Sequence, residues 1–200
     1  VDAALRLLLC DHAVAGGIYP LKREAWPPEG LPAGMTQHQF EATYTRYTVN
    51  TNADAQGEVH LHVDADGFFQ VSEAPTGFMC IKREVFTRMV AHYPELQYVP
   101  DSPGVQDQGL HYRFFDVSVH PQTRRYLSED YGFCKLWTDM GGAIHVDACS
   151  NLSHQGQKLY RGDFLQTLST NMSFAVGAPL GAKMVLNMAA PLHSNPPGPQ

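Results

Sequence analysis

The spacing of apolar residues switches repeatedly along this chain, from a period of two to a helical period and back, and that switching restricts the fold more than any other feature. Val59, Leu61 and Val63 alternate with His60 and His62, as in a strand with one buried face. Asp64-Ala65-Asp66-Gly67 supplies turn chemistry and Phe69 and Val71 resume the alternation, so the stretch predicts a β-hairpin. Beyond Pro75-Thr76-Gly77 the spacing becomes helical over 82–92, with Val85, Phe86, Met89 and Val90 on one face and Pro94 helping to end the helix. Residues 112–117 read as a strand. Ser128 is then placed as the N-cap of a helix carrying Glu129 and Asp130 in its first turn, where the helix dipole favours negative charge. Phe133, Leu136, Trp137 and Met140 give that helix its core face, Gly141-Gly142 closes it, and 143–148 form the next strand.

The remaining segments carry weaker patterns. Residues 1–9 are good helix formers, and 13–20 read as a short buried strand. Pro27, Pro28, Gly30, Pro32 and Gly34 make 24–40 a loop, and 101–109 is another. After Phe164 the periodicity fades, and 191–200 read as a disordered Pro-rich tail behind one domain of 1–190. The chain opens inside a helix, an abrupt start that predicts further polypeptide upstream of Val1. Strands alternating with helices define the α/β class, here a mixed sheet with flanking helices and an inserted hairpin. Such sheets hold ligands beyond the carboxyl ends of their strands, which makes the loop before Ser128 and the loop after Ala148 candidate site walls.

With 44% apolar and 17% charged residues the chain is too apolar for disorder, and no run reaches the ~18 apolar residues of a membrane span. A net charge of -6 with 14 dispersed Lys and Arg argues against a nucleic-acid surface. Cys10, Cys80, Cys134 and Cys149 are far apart, with no Cys-x-x-Cys pair; they read as reduced core residues of a cytoplasmic protein. There is no Gly-x-Ser-x-Gly elbow, Gly-rich phosphate loop or His-Glu-x-x-His helix.

The segment Tyr126-Leu127-Ser128-Glu129-Asp130-Tyr131-Gly132-Phe133 places paired carboxylates at a helix start, where one can take the proton of an attacking hydroxyl. By residue type alone, stabilisation of the helix dipole is the favoured account, because acidic first turns are common. Four other segments accompany it in a fixed order: Gly16-Gly17-Ile18-Tyr19-Pro20, Pro75-Thr76-Gly77-Phe78-Met79 with Lys82-Arg83-Glu84-Val85-Phe86, Leu152-Ser153-His154-Gln155-Gly156, and Tyr160-Arg161-Gly162-Asp163. Together they resemble bacterial and viral glycosyltransferases related to family 2, over roughly residues 1 to 165.

That resemblance implies a GT-A, Rossmann-like fold of which this chain is the C-terminal, acceptor-side portion. It implies a nucleotide-sugar donor, a glycan, protein or other hydroxyl acceptor, and Mn2+ or Mg2+ held by a DxD motif upstream of residue 1 and stabilising the departing diphosphate. It further implies Asp130 as catalytic base, with Glu129 holding the acceptor or orienting Asp130. Thr76, Gly77, Phe78 and Ser128 would line the donor and acceptor pocket, and His154 would complete the metal shell. For Thr76 and Gly77 an ordinary strand-to-helix turn is the plain alternative; for His154, one of ten histidines, it is a surface position. Asp64-Ala65-Asp66 has the DxD form but sits where a hairpin turn wants Asp and Gly, so it reads as a turn. Trp137 and Phe133 read as packing. The alternative to an enzyme is a non-catalytic transferase-like domain binding glycan or a partner protein. A hydrolase fits poorly, because adjacent carboxylates at a helix start diverge and cannot face one bond ~5 to 9 Å apart.

Overall fold

The computed structural model describes residues 2–193 apart from 102, 103, 105 and 107. In chain order it contains α1 (Asp2–Leu9), β1 (Val14–Gly17), β2 (Pro20–Glu24), α2 (Gln37–Tyr44), β3 (Thr45–Tyr47), β4 (Glu58–Val63) and β5 (Phe68–Val71). A 3-10 turn (Thr76–Phe78) leads into β6 (Met79–Ile81) and α3 (Arg83–His92). Then come β7 (Ser118–Val119), β8 (Tyr126–Leu127), α4 (Glu129–Asp139), β9 (Ile144–Asp147), β10 (His154–Gln155) and β11 (Leu159–Tyr160). The final elements are α5 (Phe164–Thr170), α6 (Met172–Ala175) and β12 (Lys183–Met188).

The central sheet has four strands in the order β5-β9-β1-β6. β1 and β9 run parallel, and the outer strands are antiparallel to their neighbours. With its flanking helices this is a mixed α/β sheet, loosely Rossmann-like. β1 is Val-Ala-Gly-Gly, buried along its whole length, as expected of an interior strand covered on both faces. α4 packs through Phe133, Cys134 and Trp137, all buried, with Leu136 and Met140 half-buried beside them. Full burial of a side chain such as Phe133 is worth about 1.5 to 3 kcal/mol. The Trp137 indole N–H donates to the Ala143 carbonyl at 3.0 Å. Gly141, at φ +81°, ends the helix in a Schellman motif: its N–H bonds Thr138 O and that of Gly142 bonds Trp137 O, each at 3.0 Å.

Several expectations are corrected. The 59–71 stretch has its two strands and its turn, closed by Asp64 N–H to Phe68 O at 2.9 Å, but the strands do not form a hairpin ladder. β4 pairs in parallel with β12, and β5 pairs with β9. The turn reading of Asp64-Ala65-Asp66 agrees with the geometry, since Asp64 Oδ1 accepts the amides of Asp66 at 3.0 Å and Phe68 at 2.9 Å. In 112–117 only Tyr112 makes a bridge, to Gln97; the strand is the short β7 that follows. The proline-rich loop ends earlier than expected, because Thr36 and Gln39 form a capping box that starts α2. β12 was not foreseen at all. Of the 191–200 tail, 191–193 have no regular secondary structure and 194–200 lie outside the described residues. No described helix is long and apolar enough to cross a membrane, and the four cysteines are free thiols.

On β9, the half-buried His145 ring stacks on His12 at 3.7 Å, and its buried Nδ1 has no partner. Burial, helped by His12 and opposed by Asp64, pushes the imidazole down to about 4 from an ordinary 6.5. The folded state thus refuses a proton that the unfolded chain accepts, so this residue's contribution to stability falls as pH drops from 6.5 towards 4. Urea midpoints measured between pH 7 and 4.5 are expected to fall less steeply in His145→Gln than in the parent chain.

Candidate functional site

The carboxyl ends of the parallel neighbours β1 and β9 lie at the same edge of the central sheet, with Gly17 opposite Asp147. Past the first comes Tyr19; past the second come Ser150 and His154. The antiparallel pairing of β1 with β6 sets Gly16 opposite Met79, which brings the 3-10 turn Thr76–Phe78 to this edge. The start of α4 arrives there too, because Thr76 Oγ1 donates to Asp130 Oδ1 in a short hydrogen bond. Two segments 54 residues apart are joined by that contact.

Tyr19 links these groups. Its hydroxyl accepts from the Gly77 backbone N–H; burial pushes the phenol up and the Asp130 charge adds to this, while the Gly77 bond opposes it. A Cβ at Gly77 would stand 2.9 Å from Tyr19 Cζ, so only glycine allows the backbone this close. The Tyr19 ring meets the His154 ring edge-on at 5.0 Å. His154 Nδ1 lies 2.8 Å from the Pro20 carbonyl oxygen. A carbonyl can only accept, so Nδ1 carries the proton of this bond, the arrangement that orients metal-binding histidines. Among the described residues no three His, Cys, Asp or Glu side chains converge as a metal shell.

Of the residues singled out from sequence, Thr76, Gly77, Asp130 and His154 gather around Tyr19. Ser128 takes the N-cap position, half-buried, but its side chain makes no capping bond. Glu129 is exposed in the first turn of α4. Phe78 is half-buried against the cluster of Leu7, Ala15 and Phe68, a packing position on the inner side of the turn.

Sequence reasoning missed Tyr19 and a polar cluster beside it. The Glu73 carboxylate, 7% exposed, accepts from both terminal nitrogens of Arg125, from Nη1 at 3.0 Å and from Nη2 in a short contact, and from Asn50 Nδ2 at 2.8 Å. Tyr131, next to Asp130, is pushed up to about 12 by burial, with Glu73 adding to this and a hydrogen bond from Asn50 opposing it. Arg125 also lies over the Tyr131 ring at 5.8 Å, so the cluster joins Glu73 to the first turn of α4. The strand-end rule could have pointed to Tyr19, the first polar side chain beyond a fully buried strand. No protein-family model, curated protein or solved structure matches the chain.

Proposed function

We propose that this chain is the acceptor-side portion of a cytoplasmic glycosyltransferase with a GT-A type of fold, moving a sugar from a nucleotide-sugar to a hydroxyl acceptor by direct displacement. The observation that carries the reading is the contact of Thr76 with Asp130, which joins two segments of the resemblance at the carboxyl edge of the sheet. Thr76 holds Oδ1 of Asp130, and Oδ2 is the atom that takes the proton of the attacking hydroxyl. Gly77 lets a sugar ring approach the backbone, Ser128 at the N-cap of α4 lines the pocket, and the exposed Glu129 orients the acceptor. Four free thiols accord with a reducing compartment.

Mn2+ or Mg2+ belongs to this reading as an ion held by His154 Nε2 together with a DxD motif upstream of Val1; when bound it would act as a Lewis acid on the departing diphosphate. Calorimetric titration of UDP- and GDP-sugars into the polypeptide extended upstream of Val1 tests this. Manganese-dependent binding is expected, weakened at least tenfold in His154→Ala, within the range seen when a metal site is disturbed. A folded protein that binds none of these donors would favour the alternative, a non-catalytic glycan-binding or protein-binding domain.

A further inference from the structure

We propose that the cleft between the 25–36 loop and β11 binds an acidic saccharide, which under the transferase reading, on which this role rests, is the sugar acceptor. The cleft, of about 310 Å³, is walled by β2, this loop, the start of α2 and β11. Its platform is Trp26, 60% exposed. The indole stacks on the buried Phe40 ring at 4.6 Å and 30°, so one face is backed by Phe40 while the exposed indole lines the cleft. A large aromatic fixed in this way offers a flat apolar surface to the C–H face of a sugar ring. Tyr160 on β11 adds a second ring to the lining, with Lys158 Nζ 5.3 Å from its centroid.

The charge around this platform selects the ligand further. Arg23 and Arg161 line the cleft against a single carboxylate, Glu41, among its described lining residues. In a chain of net charge -6 that is a local reversal of sign, suited to an anion. Gln37, whose side-chain amide N–H donates to Glu41 Oε1 at 2.7 Å, adds an amide oxygen able to accept from a sugar hydroxyl. A phosphate is usually gripped by backbone amides at a helix start. Here Thr36 Oγ1 already accepts the Gln39 amide at 3.2 Å. Recognition thus falls to the side-chain cations Arg23 and Arg161 rather than to backbone amides.

The cleft also adjoins the candidate site. Pro20 lines it and accepts the His154 Nδ1 proton, and Tyr160, another wall residue, pairs in register with His154. A saccharide lying along β11 is therefore one short strand away from His154.

Fluorescence titration of the 200-residue chain tests the proposal with defined probes: hexagalacturonate, a hyaluronan hexasaccharide, neutral maltohexaose, UDP and hexaglutamate. The chain has two tryptophans, and Trp137 is 1% exposed, so quenching by a surface ligand reports Trp26. Saturable quenching by at least one acidic saccharide is expected, at least tenfold tighter than by maltohexaose, UDP or hexaglutamate. Arg23→Gln/Arg161→Gln should weaken it at least tenfold. Trp26→Ala, whose fold is checked by its thermal midpoint, should lose acidic-saccharide binding by calorimetry. Absence of binding by both acidic saccharides, equal or tighter binding of any of the other three probes, or unchanged binding in the Trp26 or double arginine variant would overturn the proposal. Saccharide binding by a chain whose extended form handles no donor would keep the cleft as a binding site while removing its acceptor role.

Discussion

Asp130→Asn is expected to slow sugar transfer by 10²- to 10⁴-fold, the contribution of a positioned general base, whereas Glu129→Gln should change the rate by no more than about tenfold. The contrast follows from position. Asp130 is half-buried and held by Thr76 Oγ1 beside Tyr19 and Gly77. Glu129 precedes it by one residue, points elsewhere on the first turn and is exposed. The asparagine is nearly isosteric and can still accept from Thr76 through its amide oxygen, so the loss isolates the proton-accepting group from the packing around it. Rates are to be compared at saturating donor and acceptor in the upstream-extended polypeptide. Equal losses in both variants would mean that the acidic pair acts through the helix dipole and that neither residue is the base.

Arg6→Ala is expected to cost about 3 kcal/mol of folding stability, at the low end for breaking a buried ion pair because Arg6 is partly open to water. The Asp147 side chain is fully buried at the end of β9, and Arg6 is 30% exposed. The guanidinium makes a forked contact, Nε to Oδ2 at 2.7 Å and Nη2 to Oδ1 at 2.8 Å. A further bond from Nη2 to the Asp66 carbonyl, at 2.6 Å, ties α1 to the β4–β5 turn. Removal of the arginine leaves the carboxylate with the Cys149 amide at 2.9 Å. For a domain of this size the loss corresponds to a melting temperature lower by about 6 to 12 °C, readable by calorimetry. Arg6→Met combined with Asp147→Leu should recover most of it, since a buried pair exchanged for apolar groups of similar volume is often neutral.

The helices were legible wherever one face carries the burial. α3 and α4 follow from Val85 and Met89 and from Phe133 and Trp137, all buried, because a helical stripe is local information. β4 and β5 were legible as strands for the same reason, with Val59, Leu61 and Val63 buried and His60 and His62 exposed. Their partners were not. Alternation states which face is buried and is silent on which strand lies alongside; Glu58 pairs with Lys183, 125 residues away. Met79-Cys80-Ile81 is too short to show a period, and none of its residues is fully buried, so β6 merged into the turn before α3. The capping box of Thr36 and Gln39 was present in the letters but lay behind a run of prolines and glycines.

For the site, residue order and resemblance pointed to Thr76, Gly77, Asp130 and His154, and the fold brings these four around one tyrosine. What stayed hidden depends on tertiary placement. Tyr19 gains its role from standing past the end of β1, and Glu73 from meeting Arg125 and Asn50, partners that local spacing cannot reveal. Trp26 lies in a loop without periodicity, and its stacking on Phe40 emerges only once α2 is in place.

The claim that these residues surround a transferred sugar is tested most directly by product mass. The polypeptide extended upstream of Val1 is incubated with a UDP- or GDP-sugar, manganese and a panel of hydroxyl acceptors, acidic saccharides included, and the products are weighed by mass spectrometry. The account predicts an acceptor heavier by one sugar residue, formed with the parent protein and reduced at least 10²-fold with Asp130→Asn. A folded protein that yields neither the heavier acceptor nor free nucleotide from any of these donors would contradict it.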